Sequence, residues 1–117
     1  MFINLTPHEI NIQDTNGDII SLPSNLKEYP GVGRINFTTF EERFLYSENM
    51  SISVKFKDID SIQLPPVTKG FMYIVSLPTL LAIKNIHITR LDIFASDTDN
   101  CVRDKKGQIK YVKNLIQ

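Results

Sequence analysis

Cysteine occurs once in this 117-residue chain, at Cys101, and histidine twice, at His8 and His87. One thiol allows no internal disulfide, so a reducing, cytosolic setting fits. One cysteine and two scattered histidines give no zinc spacing. A basic excess is also missing: 13 basic residues face 13 acidic ones, for a formal net charge of +0. That argues against a binder of nucleic-acid polymers and does little to oppose self-association. The longest apolar run is about five residues, against about 20 for a membrane helix. The opening residues carry polar Asn4, Thr6, His8 and Glu9 and no basic stretch, so no secretory leader is expected. Neither Gly-x-x-x-x-Gly-Lys-Ser/Thr nor Gly-x-Gly-x-x-Gly occurs, and Gly31-Val-Gly33 alone is a loop feature. Nothing gives a positive reason to expect an enzyme.

What is present reads as one domain over residues 1–117, with 42% hydrophobic and 22% charged residues. Phe2 to Gln13 predicts a strand with a break at Thr6-Pro7. Asp14-Thr-Asn-Gly-Asp18 predicts a tight turn in which Asn-Gly takes positive φ, with Ile19 to Leu22 as the return strand. Pro23 to Gly33 is a loop. Arg34 to Tyr46 favours strand, with Ile35, Phe37 and Phe44 as expected core. Ser51 to Lys57 alternates, Ile52, Val54 and Phe56 pointing one way. Phe71 to Val75 suits a central strand covered on both faces. Ser76 with Pro78 starts a helix over about 77–85. Ile86 to Phe94 is expected to return as strand, Ala95 to Asn100 as loop, and Lys105-Lys-Gly107 turns a last hairpin. The fold class is α+β, mostly antiparallel, with six to eight short strands and one main helix.

Candidate chemistry is sparse. Asp97-Thr-Asp99 resembles half a calcium loop without its glycine and glutamate, so no metal is assigned. Cys101 has no oxyanion-hole motif near it and reads as an incidental thiol. His8 reads as part of a Thr-Pro-His turn whose imidazole satisfies backbone groups. Arginine is the scarcer base, four against nine lysines. Its planar fork suits phosphate. Arg34, Arg90 and Arg103 are therefore candidates, with internal pairs (Arg90 with Asp92, Arg103 with Asp104 or Asp99) as the alternative. Asp97, Thr98 and Asn100 lie in a polar loop bracketed by Arg90 and Arg103, a plausible phosphate and ribose cradle. Phe40, between Thr39 and Glu41, is the aromatic expected to be exposed and free to stack on a base.

The order of short motifs resembles a family of small phage-encoded proteins. Asn4 to His8 matches an Asn-Leu-Thr-Pro-His opening, and Gly33-Arg34-Ile35 a strand entry. Gly70, Tyr73, Ile74, Val75 and Ser76 match Gly-x-x-Tyr-Ile-Val-Ser. Arg90 and Asp92, then Asp97-Thr98, follow in order. Val102, Arg103, Asp104, Gly107 and Ile109 match the ending. The likeness runs over nearly the whole chain and points to Thoeris anti-defence sponges of the first type. Ser96 stands where proline is common, and the loop before Arg34 is longer and lysine-bearing; both leave the ligand's identity open.

The resemblance implies a protein of the host cytoplasm that binds a cyclic ADP-ribose signal without cleaving it. It implies no cofactor and a dimer-based homo-oligomer, up to a hexamer, with pockets shared between protomers. It also allows a second class of pocket for cyclic di- or trinucleotides. Read with the candidates above, it leaves Arg34, Phe40, Arg90, Asp97, Thr98, Asn100 and Arg103 as the expected ligand contacts. The competing readings are a direct inhibitor of a host defence protein, acting through a sheet edge or the Phe40–Tyr46 patch, and a nucleotide-degrading enzyme.

Overall fold

The computed structural model describes residues 1–117 and contains ten strands and one α-helix. The strands are β1 (Phe2–Asn4), β2 (Ile10–Gln13), β3 (Ile19–Leu22), β4 (Ile35–Ser47), β5 (Met50–Ile62), β6 (Met72–Val75), β7 (Ile93–Ser96), β8 (Cys101–Arg103), β9 (Ile109–Val112) and β10 (Leu115–Ile116). The helix α1 spans Leu77–Asn85, as the sequence predicts. The α+β class with a single helix holds. The expectation of six to eight mostly antiparallel strands does not, because the sheets are mixed. The first sheet, β1-β6-β7-β10, pairs β1, β6 and β7 in parallel and adds β10 antiparallel. The second, β3-β2-β9-β8, sets two hairpins side by side through a parallel contact at Ile12 and Val112. The third is the isolated hairpin of β4 and β5.

The core sits on the first sheet. Tyr73, Ile74 and Val75 are almost fully buried, as expected of a central strand. Tyr73 and Val75 join Ile93 and Ala95 against Leu80, Ala82 and Ile83 of α1. The helix starts where a cap and a proline coincide. The Ser76 hydroxyl accepts the Thr79 N–H at 3.4 Å, and Pro78 needs no donor partner in the first turn. It stops in a Schellman closure at His87, φ +60°: His87 N–H donates to Lys84 and Ile88 N–H to Ile83. That closure explains why the strand expected from Ile86 begins only at Ile93.

Both hairpins of the second sheet turn on one device. Asp14 Oδ1 accepts the N–H of Asn16 and Asp18, and Gly17 sits at φ +90°. Asp104 Oδ1 accepts the N–H of Lys106 and Gln108, and Gly107 sits at φ +81°. The turn expected over Asp14 to Asp18 forms there; of Asn16 and Gly17 only the glycine takes positive φ, and Asp14 caps the loop.

The β4–β5 hairpin departs most from expectation. Its strands are 13 residues each and stand away from the body. The radius of gyration is 18.1 Å, against about 13 Å for a compact chain of this length. Phe37 and Phe44, expected in the core, are 55% and 51% exposed. Only the base of the arm packs inward, through Ile35, Ile59 and Ile62.

Candidate functional site

The chain passes between the first two sheets after β1, after β7 and after β9. Those crossings enclose a cleft of about 380 Å³, within the range of small-molecule sites. Val75, Ser76 and Ser96 reach it from the carboxyl ends of β6 and β7, and Leu77 from the first turn of α1. Thr6, His8 and Glu9 enter from the turn after β1, Thr98 from the loop after β7, and Lys110 from β9. In open parallel sheets, ligands sit beyond the carboxyl ends of the strands, near helix N-termini whose dipole favours anions. Here Thr79 and Leu80 already donate to Ser76, so the helix offers its dipole more than free N–H groups.

The first crossing is built by one buried side chain. Asn4 is 0% exposed. Its Nδ2 donates to the carbonyls of His8 at 2.8 Å and Leu22 at 2.9 Å. Its Oδ1 accepts the Thr6 N–H at 2.9 Å and the Thr6 hydroxyl at 2.7 Å. The backbone is tied in turn to Asn25, which donates its N–H to Asn4 O and accepts the Asn4 N–H on Oδ1. The Asn-Leu-Thr-Pro-His segment is thus a fastener that holds residues 5–9 over the cleft. Satisfying backbone groups was expected of His8. Asn4 performs that task, and the exposed His8 ring makes no hydrogen bond within the chain.

The crossings after β7 and β9 are tied together by Asp97, Asn100 and Asn114. Asn114 Nδ2 donates to Asp97 Oδ2 at 3.0 Å, and Asn100 Nδ2 donates to Asn114 Oδ1 at 2.9 Å. Asp97 and Asn100 therefore hold the joint, while Thr98 between them lines the cleft. Arg90 is elsewhere, in a more open hollow with Val67, Met72 and Phe94. It donates from Nε and Nη2 to both oxygens of Asp92 at 2.9 Å, and from Nη2 to the Pro65 carbonyl. That hydrogen-bonded pair holds the Asp92 carboxyl below its ordinary range and raises Arg90. Of the alternatives open for Arg90, the structure shows the internal pair.

Arg103 donates to the carbonyl of Gly107 at 2.8 Å across its own turn and is exposed. Arg34 is exposed at the base of the arm, and Phe40, 62% exposed, is on the arm itself. The seven expected contacts are therefore not one constellation; Thr98 alone among them lines the cleft between the sheets. Ser76, Ser96 and Lys110, which line the cleft, were not among the expected contacts. The opening motif at Asn4 and the cap at Ser76 were the available signals, since they fix the turn over the cleft and where β6 ends and α1 begins.

No group of three or more histidine, cysteine, aspartate or glutamate side chains gathers to hold a metal. No helix is long and apolar enough to cross a membrane. No protein-family model, no curated protein and no solved structure matches the chain.

Proposed function

We propose that the chain binds a cyclic nucleotide signal of the cyclic ADP-ribose type and sequesters it intact, as a phage-encoded anti-defence protein in the host cytoplasm. The observation that carries the proposal is the cleft between the sheets, with its hydroxyl-rich rim of Thr6, Ser76, Ser96 and Thr98. Small hydroxyls of this kind fit ribose. Lys110 and the α1 dipole fit a pyrophosphate. Ile10, Val75, Leu77, Ile109 and Val112 give the apolar surface that a purine face needs. In a pocket shared between protomers of a dimer-based homo-oligomer, exposed Arg34 and Arg103 are the groups a neighbouring copy would add.

The test is calorimetric titration with cyclic ADP-ribose isomers and cyclic di- and trinucleotides, then heat release and mass analysis of the ligand. Tight binding with the ligand recovered unchanged is expected. Lys110→Glu should weaken it by about tenfold or more, the worth of one charge-assisted contact. A ligand recovered cleaved would mean an enzyme. No heat with any member of the panel would overturn the reading. It would favour direct inhibition of a host protein, a reading for which the exposure of Phe40, Phe44, Leu45 and Tyr46 speaks.

A further inference from the structure

One acid and one lysine line the cleft, Glu9 and Lys110, and the backbone holds each in place. On β9 the register passes from Tyr111 opposite Val102 to Ile109 opposite Arg103, so Lys110 is an extra residue, a bulge. Neighbours on a regular strand face opposite ways. The bulge is what lets Ile109 and Lys110 both line the cleft. Glu9 lies between two anchored residues. The His8 carbonyl accepts from Asn4 Nδ2 and from the Thr6 hydroxyl, and Ile10 pairs with Leu22. Because β2 and β9 pair in parallel at Ile12 and Val112, Glu9 and Lys110 enter from the same end of neighbouring strands. They form no ion pair; the chain's ion pairs are Arg43 with Glu41 and Arg90 with Asp92. The carboxylates of Glu28, Glu41 and Glu42 accept hydrogen bonds, whereas that of exposed Glu9 accepts none. Much of the remaining polar rim is engaged: the Thr6 hydroxyl donates to Asn4 and His8, and the Ser76 hydroxyl is held by Thr79.

An ionised carboxylate accepts hydrogen bonds and donates none, and its two oxygens suit two adjacent hydroxyls. A ribose phosphate carries both complements on one sugar: a vicinal diol for Glu9 and an anion for Lys110. We propose that Glu9 reads the vicinal diol of a ribose and so restricts the cleft to nucleotides that keep both hydroxyls of one ribose free. The inference deepens the nucleotide reading above and rests on it. In dinucleotide-binding folds an acidic residue near the carboxyl ends of parallel strands reads ribose hydroxyls in the same way. The charge that attracts a hydroxyl repels a phosphate on the same oxygen, so one side chain both selects and rejects. A nucleotide ring closed through a pyrophosphate and a glycosidic bond keeps a diol on at least one ribose. A ring of 3′–5′ linked nucleotides has every 3′ oxygen esterified and sets a phosphate against Glu9 whichever sugar enters. The lining agrees with this. A single lysine beside the α1 dipole matches one pyrophosphate better than two or three separated phosphodiesters.

Calorimetric titration of the wild type and Glu9→Gln with cyclic ADP-ribose isomers and with 3′–5′ cyclic diadenylate tests it, because the two ligands should respond with opposite signs. Glu9→Gln should weaken cyclic ADP-ribose by about tenfold, the loss of charge-assisted hydrogen bonds. It should raise the affinity for the cyclic dinucleotide. Far-UV dichroism should not change, since the exposed side chain has no partner in the fold. A carboxylate that only faces solvent beside the cleft gives another pattern: its removal tightens both anions or changes neither. Either of those results overturns the proposal, as does a wild type that holds the cyclic dinucleotide as tightly as cyclic ADP-ribose. Amide spectra with ribose 5-phosphate and 2-deoxyribose 5-phosphate at millimolar concentration separate this inference from the reading it rests on. Ribose 5-phosphate should shift the amides of residues 6–11 and the deoxy sugar should not, and Glu9→Gln should erase the difference. That result with no cyclic ADP-ribose bound would end the sponge reading and leave the diol reader standing. Cyclic ADP-ribose bound equally well by Glu9→Gln would do the reverse. Silence toward both classes of probe would end both.

Discussion

Asn4 shows how one side chain can set the position of a whole turn. With both amide hydrogens and its oxygen engaged, it replaces backbone pairing over a segment that is in no sheet. Asn4→Ala leaves the Leu22 carbonyl and the Thr6 N–H short of a partner, while the His8 carbonyl keeps only the Thr6 hydroxyl. A loss of about 2–4 kcal/mol in urea unfolding is expected. Asn4→Asp should be no milder: a carboxylate still accepts from Thr6 but turns its second oxygen on two carbonyls. A loss under about 1 kcal/mol for both would show the turn held by other contacts. Arg90 and Asp92 form the other residue-scale device, and its sign with pH is fixed. The Asp92 carboxyl is depressed, first by the Arg90 hydrogen bond. Its contribution is therefore full above the unfolded carboxylate range near pH 4. It is lost as pH falls through the lower folded value. The stability gap between wild type and Asp92→Asn should be widest at pH 7 and close toward pH 2. A gap constant across that range would remove the pair from the acid response.

At the scale of elements, the closure of α1 puts a β-carbon where glycine is the usual residue. His87 holds φ +60°, its ring is exposed, and it makes no side-chain hydrogen bond. His87→Gly should relieve the left-handed strain and raise stability by about 0.5–1 kcal/mol, read as a higher melting temperature. A decrease would mean that the ring has a task the fold alone does not reveal. This element also marks the limit of what the residues announce. The Ser76 and Pro78 start is written in local chemistry and falls where expected. The stop at His87 has no glycine to signal it, and the β-branched residues up to Ile93 resemble strand instead. Parallel pairing of β1 with β6 is non-local, fixed by burial of Ile3 and Ile74 rather than by any pattern within either segment. The alternation of Ile52, Val54 and Phe56 correctly assigns a shared face. Alternation reports which side chains share a face, not what covers it, and so Phe37 and Phe44 looked like core. The site was less legible still. Thr98, singled out for its polar loop, lines the cleft, but Ser96 and Lys110 meet only where the chain crosses between sheets.

The whole molecule separates into a body that holds the cleft and an arm that holds none of it. The core cluster takes only Ile35, Ile59 and Ile62 from β4 and β5, all at the base, and no residue lining the cleft comes from the arm. Replacing Thr38–Asp58 by a two-residue Asn-Gly turn should therefore leave the body folded, since Asn36 with Ser61 and Ile35 with Ile62 still close the ribbon. Stability should change by about 1 kcal/mol or less, because exposed two-stranded ribbon contributes little to global unfolding. Small-angle scattering should show the radius of gyration falling from 18.1 Å toward the compact value of about 13 Å. The trimmed chain should bind nucleotide as the full chain does, because no residue lining the cleft comes from the arm. A drop in affinity would show that the arm contributes to the site. An unfolded trimmed chain would show instead that the arm is part of the folding unit, and the division of labour between body and arm would have to be given up.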